Sequence, residues 1–317
     1  MRADRARAAA LLIGAVLGAA HVAGDRASSL GHRPPQAFGA GVTALDAPLV
    51  LRSGDGVTGA GMNVTTLRPV APMTSVVANA DEEAGAADVT LADLTIDCDG
   101  RADFGVRLVR VSNLRLRGVR VTNCTRDGVR LSGHGVRTRR FRLEDVEAAN
   151  NGEGGVVVQW AMRDGVYDGV VATGNGGTGI TIDHSEATAH GLVARGNGRD
   201  GLYLRNLFAT TISEVSATHN GRHGVLVEGW VHSVGSAWRA QGNGQGDGGA
   251  ADVLFSGRAD LSYGVTRASV LTGLVAGDYH ELGAAPGPVS GLAVDPDVTD
   301  LTIIGVVQSA PEDARAP

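Results

Sequence analysis

The chain has 317 residues, enough for one sizeable domain, with 47 Gly and only 4% aromatic side chains; Gly is thus about twice its usual share, which suits tight corners around a small aliphatic core. The formal charge is -6 and all 28 basic side chains are Arg, a balance that argues against general nucleic-acid binding. The two cysteines form no Cys-x-x-Cys pair, which argues against a zinc site.

Residues 1–24 read as a signal peptide. Arg2, Arg5 and Arg7 precede an apolar run, Ala8 to Ala20, and small residues follow. That run is too short to span a bilayer as a helix, and no second one follows, so the expectation is a secreted protein without integral membrane association. Residues 25–46, with Pro34-Pro35, read as a linker and N-terminal segment. Pro48 to Leu51 and the Gly-rich stretch Ser53 to Gly61 read as a strand and a tight corner; the latter lacks the Lys of a phosphate loop. Ala80 to Ala87 reads as an exposed excursion.

From there a single phrase recurs: Asn151-Gly-Glu-Gly-Gly-Val-Val-Val, Asn175-Gly-Gly-Thr-Gly-Ile-Thr-Ile, Asn197-Gly-Arg-Asp-Gly-Leu-Tyr-Leu and Asn220-Gly-Arg-His-Gly-Val-Leu-Val. Its period is 22 to 24 residues, and self-similarity of this kind outranks local propensity. Each repeat holds two segments of alternating apolar residues, one after the second Gly (Val156/Val158, Ile180/Ile182) and one before the next Asn (Val170/Ala172, Leu192/Ala194). Leu116, Leu143, Tyr167 and Ile212 mark a third. Runs this short cannot bury themselves, but stacked on their copies in parallel they form continuous apolar columns. The expected fold is all-β, a parallel β-helix of about eleven coils over residues 47–308, each coil rising roughly 4.8 Å. Asn tolerates left-handed backbone and can bond across coils, which suits an Asn-Gly corner.

Cys98 and Cys124 lie 26 residues apart, close to one coil. Neighbouring coils bring equivalent Cα atoms within disulfide range, so a disulfide bond or a stacked free pair is expected. Leu261 to Val275 and Leu292 to Val307 read as late coils separated by a loop, Asp278 to Pro288. Composition predicts a disordered tail over residues 309–317.

The phrase Asn-Gly-x-x-Gly-(Val/Ile)-x-(Leu/Ile), repeated over most of Val89 to Phe255, resembles the pectin-lyase-like superfamily of right-handed parallel β-helices. That resemblance implies a right-handed, single-stranded solenoid and an activity among polysaccharide lyases, uronate epimerases, glycoside hydrolases and related glycan-active proteins. The Asp-Pro-His phrase of the alginate-epimerase branch is absent.

A solenoid has little interior cavity, so chemistry belongs on an outward strand face. In the strand opened by the repeat Gly, the outward positions carry Arg107/Val109, Arg130/Ser132, Val157/Gln159, Thr181/Asp183, Tyr203/Arg205 and Leu226/Glu228. The next position carries Trp160, His184 and Asn206. The expected catalytic set is Asp183, His184, Tyr203, Arg205 and Glu228, with Arg130, His134, Gln159, Trp160 and Asn206 binding substrate.

Two chemistries suit this set. In the first, Arg205 neutralises a uronate carboxylate, Tyr203 or His184 serves as base or acid, and Asp183 orients the imidazole, giving a lyase or an epimerase. In the second, Asp183 and Glu228 act as the carboxylate pair of an inverting glycosidase. A non-catalytic glycan-binding or structural β-helix is the remaining alternative. No cofactor is expected apart from a weak calcium candidate at Asp97, Asp99 and Asp103, carboxylates that also serve as turn caps. His219, His223 and His232 lack zinc-site spacing. The expected partner is a polysaccharide or oligosaccharide.

Overall fold

A computed structural model describes residues 34–134, 138–160, 162–183, 186–244, 250–257, 266–276 and 290–308. All of these belong to one compact unit. The expected signal peptide, the loop Asp278 to Pro288 and the tail 309–317 lie outside the described residues.

The chain winds as a parallel β-solenoid. In every strand pair the partners run in the same direction, and each strand pairs with its copy one coil away. The front sheet stacks ten strands, from Leu49–Leu51 through Val156–Gln159 and Leu202–Phe208 to Ser290–Val294. Ten stacked strands make nine turns, fewer than the eleven expected. The coil starts earlier than expected: Gln36–Ala37 and Gly41–Leu45 pair with Gly56–Thr58 and Thr65–Pro69 and already belong to the stack. These outermost strands lack the repeat phrase, so their register was not legible beforehand.

Inside, the columns are those the alternation predicts. Val106, Val129, Val156, Ile180, Leu202, Val225 and Val253 stand in register, as do Leu108, Leu131, Val158, Ile182, Leu204, Val227 and Phe255. All of these are at most 1% exposed. Each fully buried side chain of this size contributes about 1.5–3 kcal/mol.

The rear sheet is made of longer strands such as Val111–Thr122 and Thr138–Ala149. The chain kinks along this sheet at a column of left-handed residues, Asp93, Gly118, Asp145, Gly169, Gly191, Glu214, Ala237, Gly273 and Gly305, with φ from 51° to 71°. This kink joins the third segment of each repeat to the second.

The repeat Asn has a different role from the expected corner. Asn151, Asn175, Asn197, Asn220 and Asn243 are all at most 2% exposed, and the left-handed residue is the one before each: Asn150, Gly174, Gly196, His219 and Gly242. The amides form a ladder. Asn151 Nδ2 donates to Asn175 Oδ1 at 2.9 Å, Asn175 to Asn197 at 2.9 Å, Asn197 to Asn220 at 2.9 Å and Asn220 to Asn243 at 2.8 Å. Each Oδ1 also accepts the backbone N–H of the preceding Asn. At the C-terminal end Asn243 donates to the buried carboxylate of Asp252 at 2.7 Å.

At the other end the column continues as the disulfide Cys98–Cys124, with Cα atoms 4.8 Å apart. Cys124 N donates to Asn151 Oδ1. The ladder also explains the second Gly of the phrase. A Cβ on Gly128, Gly155, Gly179, Gly201 or Gly224 would lie 2.5–2.8 Å from the Asn amide nitrogen of the following coil.

Candidate functional site

The front sheet turns two columns of side chains outward, in the expected register. Thr181, Tyr203 and Leu226 are partners in one; Asp183, Arg205 and Glu228 are partners in the other. Asp183 and Glu228 are 7% exposed, and Arg205 stands between them. Its NH1 lies 3.7 Å from Asp183 Oδ2 and its Nε 3.8 Å from Glu228 Oε2, both beyond hydrogen-bond length. The buried Nε reaches no acceptor, and the terminal NH1, 3.7 Å from Asp183, is not engaged in a hydrogen bond to it, so the fork end of the guanidinium can still donate to an anionic group.

Tyr203 OH donates to Glu228 Oε2 at 2.5 Å. Burial, this hydrogen bond and the charges of Glu228 and Asp183 push the phenol well above its ordinary value, against the opposing effect of Arg205. Burial and the bond to Glu228 therefore favour the protonated phenol, which fits a hydrogen-bond donor or general acid. His184 lies outside the described residues. Asn206 is 1% exposed and has left-handed backbone, so its side chain is withdrawn from the surface and cannot line a binding face as expected.

The open volume of this face lies beside the cluster, towards the N-terminal coils. A groove of about 760 Å³ is lined by Phe104, Arg107, Arg126, Arg130, Gln159 and Trp160, among others. Arg130, His134, Gln159 and Trp160 line it as the sequence suggested. The excursion at Ala80 to Ala87 supplies a wall through Glu82 and Glu83, and Asp81 caps its turn by accepting from Glu83 N and Ala84 N. These two bonds hold the Asp81 carboxyl below its usual range. Beyond His134, residues 135–137 lie outside the described residues, and Thr138 opens the next strand.

Sequence reasoning missed Phe104, Arg126 and Asp127. Three guanidiniums, those of Arg107, Arg126 and Arg130, lie 5.0–5.8 Å from the Phe104 ring centroid. Arg130 NH1 donates to Asp127 Oδ2 at 2.6 Å. With so few aromatics in the chain, a Phe within reach of Arg on its own and the following coil was the available signal.

The calcium candidate does not assemble. Asp97 accepts from Arg68 and Asn123, Asp99 pairs with Arg101, and Asp103 accepts from Thr125. Burial raises the Asp97 carboxyl, but the bonds from Asn123, Arg68 and Asp99 N–H and the charge of Arg68 outweigh it and hold it below the usual range. Among the described residues, no three His, Cys, Asp or Glu side chains are grouped to hold a metal ion, and no helix is long and apolar enough to cross a membrane. Away from this face, Arg and carboxylates pair across coils, as in Arg115–Glu144 at 2.7 Å and Arg163–Glu186 at 2.9 Å; such exposed pairs contribute little each.

Fold and register define a parallel β-helix protein. Residues 83–237 match the family model described as a right handed beta helix region. Among solved structures the chain is similar to the mannuronan C-5 epimerase AlgE4 A-module of Azotobacter vinelandii, at 17% identity and a TM-score of 0.56, covering 88% of this chain and 90% of that one. It is also similar to the enzymatically active domain of bacteriophage CBA120 tailspike protein 2, at 12% identity and a TM-score of 0.60, covering 89% of this chain and 48% of that one. No curated protein matches by sequence. At these identities the likeness is one of fold.

Proposed function

We propose that the protein is a secreted enzyme acting on an acidic polysaccharide, a uronate lyase or C5 epimerase that works by proton abstraction next to the sugar carboxylate. The observation that carries this reading is the guanidinium of Arg205, held between two carboxylates without a hydrogen bond and beside a phenol whose proton is locked on. Arg205 would bind the uronate carboxylate and stabilise the charge that builds there when the C5 proton leaves. Tyr203 would be the acid. Asp183 and His184 are the candidates for the base, with His184 outside the described residues.

In elimination the base takes the C5 proton, a C4–C5 double bond forms, and the C4–oxygen bond breaks. Its electron pair passes to the departing oxygen, which receives the Tyr203 proton. In epimerisation the C5 proton returns to the opposite face and no bond to oxygen breaks. The basic-then-apolar N-terminus and the disulfide support an oxidising, extracellular location. The mannuronan C-5 epimerase shows that a β-helix of this kind can present such chemistry.

Inverting hydrolysis is the second reading. Asp183 and Glu228 lie two coils apart, about 10 Å, just beyond the roughly 6.5–9.5 Å used by inverting carboxylate pairs. Incubation with acidic and neutral glycans separates the readings. Unsaturated uronate or inverted C5 supports the first, and reducing ends without unsaturation support the second. Arg205→Ala and Tyr203→Phe should each lower turnover about 10²-fold or more.

A further inference from the structure

The groove beside the reacting cluster contains a braced aromatic platform. Trp160 is 52% exposed, yet its backbone is left-handed with φ 64°, a conformation that costs an L-residue with a side chain about 1–2 kcal/mol. With the Gln159 amide turned so that its oxygen faces both donors, the indole N–H donates to that oxygen at 3.0 Å and Arg130 NH2 donates to it at 2.9 Å. Arg130 is anchored in turn on Asp127, a carboxylate 3% exposed that also accepts Gly154 N at 2.8 Å. A relay from a buried carboxylate thus fixes the orientation of an exposed ring. The left-handed backbone belongs to the coil corner, where Arg110, Asn206 and Gly229 share it. An exposed indole, however, gains little stability from such a bracing network, and a side chain locked in place at an open groove is a mark of a ligand site.

We infer that Trp160 is the stacking platform of a second subsite, which holds an acidic oligosaccharide segment on the N-terminal side of the reacting cluster. The inference rests on the reading of that cluster as a glycan-active centre. Trp160 stands one coil from Asp183 and two from Arg205, and the groove continues two coils further to Arg107. From Arg205 to Arg107 is roughly 20 Å, the length of a short oligosaccharide. An apolar ring face stacks on the indole, while guanidiniums around Phe104 present donors to carboxylates and hydroxyls. Among the described residues, the outward positions on the next coil beyond Glu228 carry Leu254 and Ser256, which offer neither charge nor an aromatic platform, so the described groove extends from the cluster towards the N-terminal coils.

The other two tryptophans, Trp230 and Trp238, are fully buried, so iodide quenching of the full-length protein reads Trp160 alone. A hexauronate should protect this emission from iodide and shift it to the blue, a diuronate should do neither, and neutral maltohexaose should protect weakly. Trp160→Ala should raise KM for polyuronate about tenfold, or about 1.4 kcal/mol, with kcat within twofold, and Trp160→Phe should restore most of the loss. Unchanged quenching with every sugar, together with normal polyuronate turnover by Trp160→Ala, overturns the subsite and leaves the reacting centre standing. Protection by hexauronate without turnover upholds the subsite and counts against the reacting centre. Protection by maltohexaose alone overturns the acidic ligand class.

Discussion

Tyr203 donates a hydrogen bond to Glu228 at 2.5 Å on a half-buried face, which gives the pair a measurable signature. The folded-state value of Tyr203 is raised above the ordinary 10.0, so the folded protein holds this proton more tightly than the unfolded chain. The stabilisation is complete below pH 10.0 and is lost as pH rises from there towards the folded value. Tyr203→Phe removes a proton that no longer needs to be lost. Plotted against pH, its thermal midpoint should fall less steeply than the parent's above pH 10, while at neutral pH the two differ by about 1 kcal/mol. Parallel curves through the alkaline range would contradict the bond. A second residue-scale test lies on the rear kink: Ala237 occupies with φ 54° a place where Gly118, Gly169, Gly191, Gly273 and Gly305 stand in other coils. Ala237→Gly should raise stability by about 0.5–1 kcal/mol, since relief of left-handed strain outweighs the added backbone entropy; a lowered midpoint in chemical unfolding would count against this.

At the scale of the element, the repeat phrase states its own function, although the sequence alone assigns the wrong part of it to the corner. The Asn was legible as a cross-coil bonder. Its burial was not, because the left-handed turn falls on the preceding residue, whose identity varies between Asn, Gly and His. Asn175→Ala should cost about 2–4 kcal/mol, because Asn151 Nδ2 and Asn151 N–H both lose their acceptor in a dry column and buried unpaired donors cost about 1–3 kcal/mol each. Equilibrium denaturation checks it, and a loss below about 1 kcal/mol would show that water or a neighbouring carbonyl replaces the amide. Asn206 was misplaced for a related reason: it follows the outward Arg205, but left-handed backbone turns its side chain out of the alternation.

For the whole molecule, register was the most legible property. A period of 22 to 24 residues with fixed alternation leaves one way to stack the coils, and Asp183, Tyr203, Arg205 and Glu228 arrive on one face as a consequence. Less legible was where that face opens. The groove depends on the excursion carrying Glu82 and Glu83 and on the rotamers of Arg107, Arg126 and Arg130 around Phe104, none of which follows from periodicity. The outermost coil at Gln36 to Leu45 was illegible for want of the phrase.

The most direct test is to incubate the full-length protein and its Arg205→Ala variant with polymannuronate, polygalacturonate and a neutral glucan. Ultraviolet absorbance follows the C4–C5 double bond, proton NMR follows inversion at C5, and a reducing-end assay runs beside them. The account predicts unsaturated or C5-inverted uronate from at least one acidic polymer, none from the glucan, and loss of that product with Arg205→Ala. Reducing ends from the glucan without unsaturation, or product formation undiminished by Arg205→Ala, would contradict it.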